Sequence, residues 1–492
     1  MEKILVGKGG EHVWLQARYG NRHGLVAGAT GTGKTVSLLV LAEGFSRMGV
    51  PVFMTDVKGD VAGLSMPGIK SEKIDQRVSQ IGMEGYINEP SPTIFWDLYG
   101  KAGHPVRTTV SELGPVLLGR ILDLNDTQIG MLEISFKLAD DNGLLLLDLD
   151  DLRSLLTFVS DNKAGVSRQY GLVSTQSISA IQRALLTFER EGGTGFFGEP
   201  ALELPDLLRT DLSGRGIINI LAADQLILKP RLYSSFLLWL LSELFENLPE
   251  VGDLDKPRQV FFFDEAHLLF EDSPAALRQK VEQVVRLIRS KGVGIYFCSQ
   301  FPDDVPGEIL GQLGNRIQHA LRAYTPRDQK AVKTAAETFV ANPGLDVARV
   351  ISQLAVGEAL VSTLQEKGVP MPVERTTICP PRCRIGAITP EERESVKARS
   401  PISIKYDKTV NRESAYEILS RRAAEQKPET AAPENKPQDK TGERGMLGDL
   451  LWGTKKRQGM VEAMAKQTAR TVGNEIGRKV IRGILGSMLG RK

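Results

Sequence analysis

Only three cysteines occur in 492 residues, which argues against a disulfide framework and fits a reducing cytoplasm. Cys379 and Cys383 frame Pro-Pro-Arg, but no further Cys or His lies near them in sequence to complete four zinc ligands, so they read as part of a proline-rich turn. Long apolar runs are also missing: the best, Phe236-Leu-Leu-Trp-Leu-Leu241, is too short to span a bilayer. The start, Met1-Glu-Lys-Ile-Leu-Val-Gly-Lys8, lacks a secretory pattern. Net charge is nearly absent at +2, so any site for nucleic acid must be local.

What is present begins with Leu25-Val-Ala-Gly-Ala-Thr-Gly-Thr-Gly-Lys-Thr-Val36. Gly28, Gly33, Lys34 and Thr35 fall on the G-x-x-x-x-G-K-[ST] spacing of a phosphate-binding loop, between a strand-like and a helix-like run. Its glycines let successive N–H groups face inward, and the following helix adds its positive N-terminal dipole. Gly28, Ala29, Thr30, Gly31, Thr32, Gly33, Lys34, Thr35 and Val36 are therefore the expected nucleotide contacts. Lys34 is expected to reach the β/γ-phosphates of ATP and Thr35 to ligate Mg²⁺.

The remainder reads as an α/β protein. Residues 1–24 suggest a small β-hairpin, Thr35–Met48 a helix closed by Gly49, and Val50–Thr55 a buried strand ending at Asp56. From about Leu98 to Leu208 successive helical patterns replace the strands, implying a helical insertion; within it His104-Pro-Val-Arg107 reads either as a functional loop or as a proline-limited turn with an exposed arginine.

The α/β alternation then resumes with strands at Gly216–Leu221 and Gln259–Phe263, the latter delivering Asp264 and Glu265 at its carboxyl end, where open α/β sheets bind ligands. Asp264 suits Mg²⁺ and Glu265 suits the attacking water, although two adjacent carboxylates could also cap a helix. Gly294–Gln300 places Gln300 to sense the γ-phosphate or position water. With Arg316–Arg322 and Gly357–Ser362 the expected sheet has roughly seven strands.

This division gives a β segment (1–24), core (25–97), helical insertion (98–208), core (209–385), surface extension (386–423), disordered linker (424–445) and a helical tail (446–492). Ten lysines and arginines face three acidic residues in the tail, which carries +7 against −5 for the rest. Val461, Met464, Thr468, Val472, Ile476, Val480, Ile484 and Met488 form an apolar stripe there. Such a helix could bind a protein partner, an anionic membrane surface or its own copies, or fold back on the core.

Four segments carry a family resemblance: Gly28–Thr35, Val260-Phe-Phe-Phe-Asp-Glu-Ala-His267, Leu287-Ile-Arg-Ser-Lys-Gly-Val-Gly294 and Phe297-Cys-Ser-Gln300. On these the chain resembles the HerA/FtsK group of P-loop ATPases, and within it the YjgR family of HerA-like proteins. The resemblance implies a RecA-like core with a mainly parallel sheet, a homo-oligomer in the form of a hexameric ring, ATP bound between subunits and double-stranded DNA moved through the channel. It further implies a finger arginine inserted into the neighbouring site, matching Arg289, with Arg286 as a substitute. An ATP-gated scaffold acting through the tail is the competing expectation. A DEAH-box RNA helicase, prompted by Asp264-Glu-Ala-His267, is disfavoured because no second helicase lobe is evident.

Overall fold

A computed structural model describes residues 2–425, apart from 253, 271–274 and 323. Its strands are β1 Lys3–Lys8, β2 His12–Gln16, β3 Gly24–Ala27, β4 Val52–Asp56, β5 Thr93–Asp97, β6 His104–Pro105, β7 Ile218–Ala222, β8 Gln259–Phe263, β9 Val293–Ser299, β10 Asn315–Gln318, β11 Glu358–Ser362 and β12 Glu374–Ile378. They form one twelve-stranded sheet in the order β2-β1-β12-β11-β10-β3-β9-β8-β4-β7-β5-β6. From β10 to β6 every neighbouring pair is parallel, and from β2 to β10 every pair is antiparallel.

The central strands are short apolar runs because helices cover both faces of a parallel sheet. On one side the helix α1, Lys34–Arg47, packs Leu38, Leu41 and Phe45 against Val26, Met54, Phe262 and Tyr296. Phe262 and Tyr296 stack at 5.1 Å, and Phe45 meets Tyr296 edge-on at 5.9 Å. Such aromatic pairs each contribute about 0.5–1.5 kcal/mol beyond their buried area. The helix Pro230–Asn247 buries Phe236, Leu240 and Leu244.

The sheet is larger than the roughly seven strands expected from pattern. The N-terminal hairpin joins it through β1 and β12, and Thr93–Asp97 inserts beside β7. A proline-rich approach disguises β5, and Asp97 ends it by accepting N–H bonds from Lys101 at 2.7 Å and Ala102 at 2.8 Å. The strand expected over Arg316–Arg322 stops at Gln318, and that expected over Gly216–Leu221 begins at Ile218.

The described chain divides into this sheet unit, residues 2–106 and 202–408, and a second unit formed by residues 107–201 and 409–425. His104, in the sheet unit, opens the two-residue strand β6 and is fully buried, with Nδ1 2.6 Å from Asp407 Oδ1. Tyr406, in a stretch expected at the surface, is likewise buried, donating to Asp206 Oδ2 at 2.7 Å and packing on Trp96.

The second unit is helical. Side chains at Thr109, Asn125 and Asp148 close capping boxes with Glu112, Gln128 and Asp151, which satisfy helix-start N–H groups. The helix Ala415–Glu425 is tied here through Ala415 N–H to Leu145 O at 2.9 Å and Tyr416 N–H to Asp151 Oδ1 at 2.8 Å. The linker beyond Glu425 and the basic tail lie outside the described residues. No helix among the described residues is long and apolar enough to cross a membrane.

Candidate functional site

Parallel strands present their carboxyl ends along one edge, and the chemistry-bearing residues collect there. β3 runs into the glycine loop, β8 into Asp264-Glu265, β9 into Gln300, β4 into Asp56 and β10 into His319.

The loop is held as a turn before α1. Gly28, Gly31 and Gly33 have φ of 148°, 78° and 118°, conformations an L side chain resists. Gly28 N–H donates to Ser299 O at 3.3 Å, Ala29 N–H to Ala320 O at 2.8 Å, and Thr32 Oγ1 to Ala29 O at 2.7 Å. Lys34 is buried and its Nζ reaches back to Gly28 O at 2.7 Å and Ala29 O at 3.3 Å. Thr30 and Gly31 are exposed at the tip, whereas Val36 turns toward the core.

Behind the loop stands a histidine that local spacing does not reveal. His319 Nδ1 lies 3.0 Å from Glu358 O and its Nε2 2.8 Å from Ser37 Oγ. A carbonyl can only accept, so Nδ1 carries the proton and Nε2 accepts from the Ser37 hydroxyl. Burial lowers the His319 pKa to about 4, which keeps this neutral tautomer. A Cβ on Gly28 would lie 2.5 Å from His319 Cβ, so the glycine is required by close approach as well as by φ.

The acidic side of the edge contains more than the two expected carboxylates. Asp264 is buried, its N–H donates to Thr55 Oγ1 at 3.0 Å, and burial followed by the neighbouring Glu265 charge raises its pKa. Burial, followed by the Asp60 charge, raises Asp56 to about 7. Thr35 Oγ1 donates to Asp60 Oδ2 at 2.9 Å. Asp56 Oδ2 and Asp60 Oδ1 are buried with no hydrogen-bond partner among the described residues.

Glu265 is buried in the left-handed region at φ 49° and is hydrogen-bonded through Oε1 to Lys58. Burial pulls the Lys58 pKa down, but the Glu265 bond and the charges of Glu265, Asp264 and Asp60 together carry it above the usual lysine range. His267 opens the short helix His267–Phe270, with Nδ1 3.4 Å from Glu265 Oε2.

Not every expected residue meets the others. Gln300 follows β9 on the correct edge and is half-buried. Arg289 precedes β9, at the opposite end of a strand about 20 Å long. Arg286 is half-exposed and pairs with Glu308. Neither arginine can serve its own chain's phosphate loop from there.

A hydroxyl and orphaned carboxylate oxygens beside a glycine loop fit a hard cation such as Mg²⁺. Among the described residues no three His, Cys, Asp or Glu side chains form a group that could hold a metal ion.

Fold and site together define a P-loop ATPase with a RecA-like core. The chain belongs to the family described as helicase HerA-like C-terminal, whose model matches residues 2–492. Solved structures agree on the fold. The bacterial conjugative coupling protein TrwBdeltaN70 in its unbound form is 15% identical over 79% of this chain and 92% of its own, with a TM-score of 0.50. The plasmid coupling protein TrwB in complex with the non-hydrolysable GTP analogue GDPNP is 16% identical, with the same coverage and TM-score. None of the curated protein sequences matches the chain.

Proposed function

We propose that the chain is a Mg²⁺-dependent ATPase that works as a hexameric ring and translocates or unwinds double-stranded DNA. The observation that carries the hydrolytic part is the convergence of the Gly28–Thr35 loop, Asp264 and Glu265 on one sheet edge. In this reading the loop N–H groups and Lys34 hold the β/γ-phosphates, while Thr35 and Asp264 hold the cation. Mg²⁺ held there would supply positive charge to offset that developing on the phosphates.

Glu265 orients a water for in-line attack on the γ-phosphorus. The new P–O bond forms as the bond to the β–γ bridging oxygen breaks, the water proton passes by way of Glu265 to the departing phosphate, and ADP leaves. Gln300 contacts the γ-phosphate or the water.

The ring is supported by the HerA/FtsK resemblance and by Arg289, which stands too far from its own loop to act in cis. Placed in a neighbour's site it would add about 10³–10⁵ in rate. DNA as the substrate is supported by the same resemblance and by the family's description as a helicase. The test is ATP hydrolysis titrated with duplex DNA at low salt, which favours phosphate contacts. Stimulation lost on Lys34→Ala supports the motor, and turnover indifferent to DNA removes that part of the reading.

A further inference from the structure

Glu265 has two carboxylate oxygens with different fates. Oε1 is hydrogen-bonded to the Lys58 ammonium, whereas Oε2 is buried with no hydrogen-bond partner among the described residues. His267 Nδ1 lies 3.4 Å away and does not complete a hydrogen bond to it. A buried carboxylate oxygen left empty is costly, so the arrangement is stable only if something else fixes it or a donor arrives.

Three features show that the first condition is met. The Glu265 backbone is set at φ 49°, and Ala266 N–H is bonded to Cys298 O at 2.8 Å. Lys58 comes from the loop after β4, whose Gly59 N–H is tied to Asp56 Oδ1 at 2.7 Å and whose Asp60 is tied to Thr35. The lysine also faces Asp264 and Asp60, so it supplies positive charge to crowded carboxylates while remaining 47% exposed. A compact ammonium on a flexible stem is suited to that position.

We propose that Lys58 is the positioning residue for Glu265: it holds Oε1 so that Oε2 is presented to the attacking water. The donor that completes Oε2 is then the water O–H. The proposal rests on the reading of Glu265 as the water-orienting group, and it assigns to the β4 loop a part in hydrolysis beyond the phosphate loop and the β8 carboxylates.

The test is steady-state hydrolysis of Mg-ATP by the full chain, comparing Lys58→Met, Lys58→Arg, Glu265→Gln and the double variant Lys58→Met/Glu265→Gln. Loss of an outer-shell partner typically costs about 10–100-fold, so Lys58→Met is expected to lower kcat by about that factor with KM changed by less than about twofold. Lys58→Arg restores most of the rate, and the double variant is no slower than Glu265→Gln alone. A kcat for Lys58→Met that is unchanged or raised, or a defect confined to KM, overturns the proposal. Equal turnover by wild type and Glu265→Gln instead removes the reading beneath it. Thermal unfolding of Lys58→Arg and Lys58→Met at the wild-type temperature separates these effects from misfolding.

Discussion

Thr35 Oγ1 donates a 2.9 Å hydrogen bond to Asp60 Oδ2, joining the phosphate loop to the loop after β4. The remaining oxygen of Asp60 is buried with no hydrogen-bond partner among the described residues, so in the proposed reading a cation would draw on both side chains. Asp60→Ala is expected to raise the Mg²⁺ concentration needed for half-maximal hydrolysis by about tenfold, as is Thr35→Ala, with less than additive loss in the double variant. Mg²⁺ titrations of the steady-state rate check this.

Gly28 and Gly31 both have positive φ, but only Gly28 is crowded, by His319. Gly28→Ala should therefore abolish nucleotide binding by displacing the loop, whereas Gly31→Ala pays only a backbone penalty of about 1–2 kcal/mol. Equilibrium binding of a fluorescent ATP analogue distinguishes the two.

Arg289 is expected to act on a neighbour. Arg289→Ala and Lys34→Ala should each be nearly inactive, with losses of about 10³-fold or more. Mixed together they should regain a measurable share of the wild-type rate, because an intact loop can then face an intact arginine. No recovery on mixing would remove Arg289 from the site.

Glu43 is buried on α1, with its carboxylate accepting N–H bonds from Arg382 at 2.9 Å and Cys383 at 3.4 Å. Burial outweighs these bonds and raises its pKa from 4.5 to about 7. In the unfolded chain the group ionises first as pH rises, so between those values the folded state binds more protons and stability falls with increasing pH. The fall is about 3 kcal/mol if Glu43 alone is counted. Urea unfolding at about pH 5 and about pH 8 should show a smaller difference for Glu43→Gln than for wild type.

The glycine loop and Asp264-Glu265 are legible in sequence because their function depends on adjacent residues in fixed spacing. His319 and Ser37 are 282 positions apart, and only the parallel pairing of β10 with β3 brings the histidine behind the loop. Asp56 carried a usable signal, since Val52–Met54 delivers it just as Val260–Phe263 delivers Asp264. Lys58 did not, because a lysine in a polar loop looks like any solvated charge. Strand β12, Glu374-Arg-Thr-Thr-Ile378, escaped notice for a related reason: it lies between β1 and β11, outside the wholly buried centre, and its sequence is polar.

Steady-state hydrolysis of Mg-ATP by wild type, Lys34→Ala and Glu265→Gln is the most direct measure of the site. The account predicts turnover in the wild type that rises more than linearly with protein concentration where the ring dissociates, and at least about a hundredfold loss in both variants. Hydrolysis that survives Lys34→Ala and Glu265→Gln at the wild-type rate would contradict it.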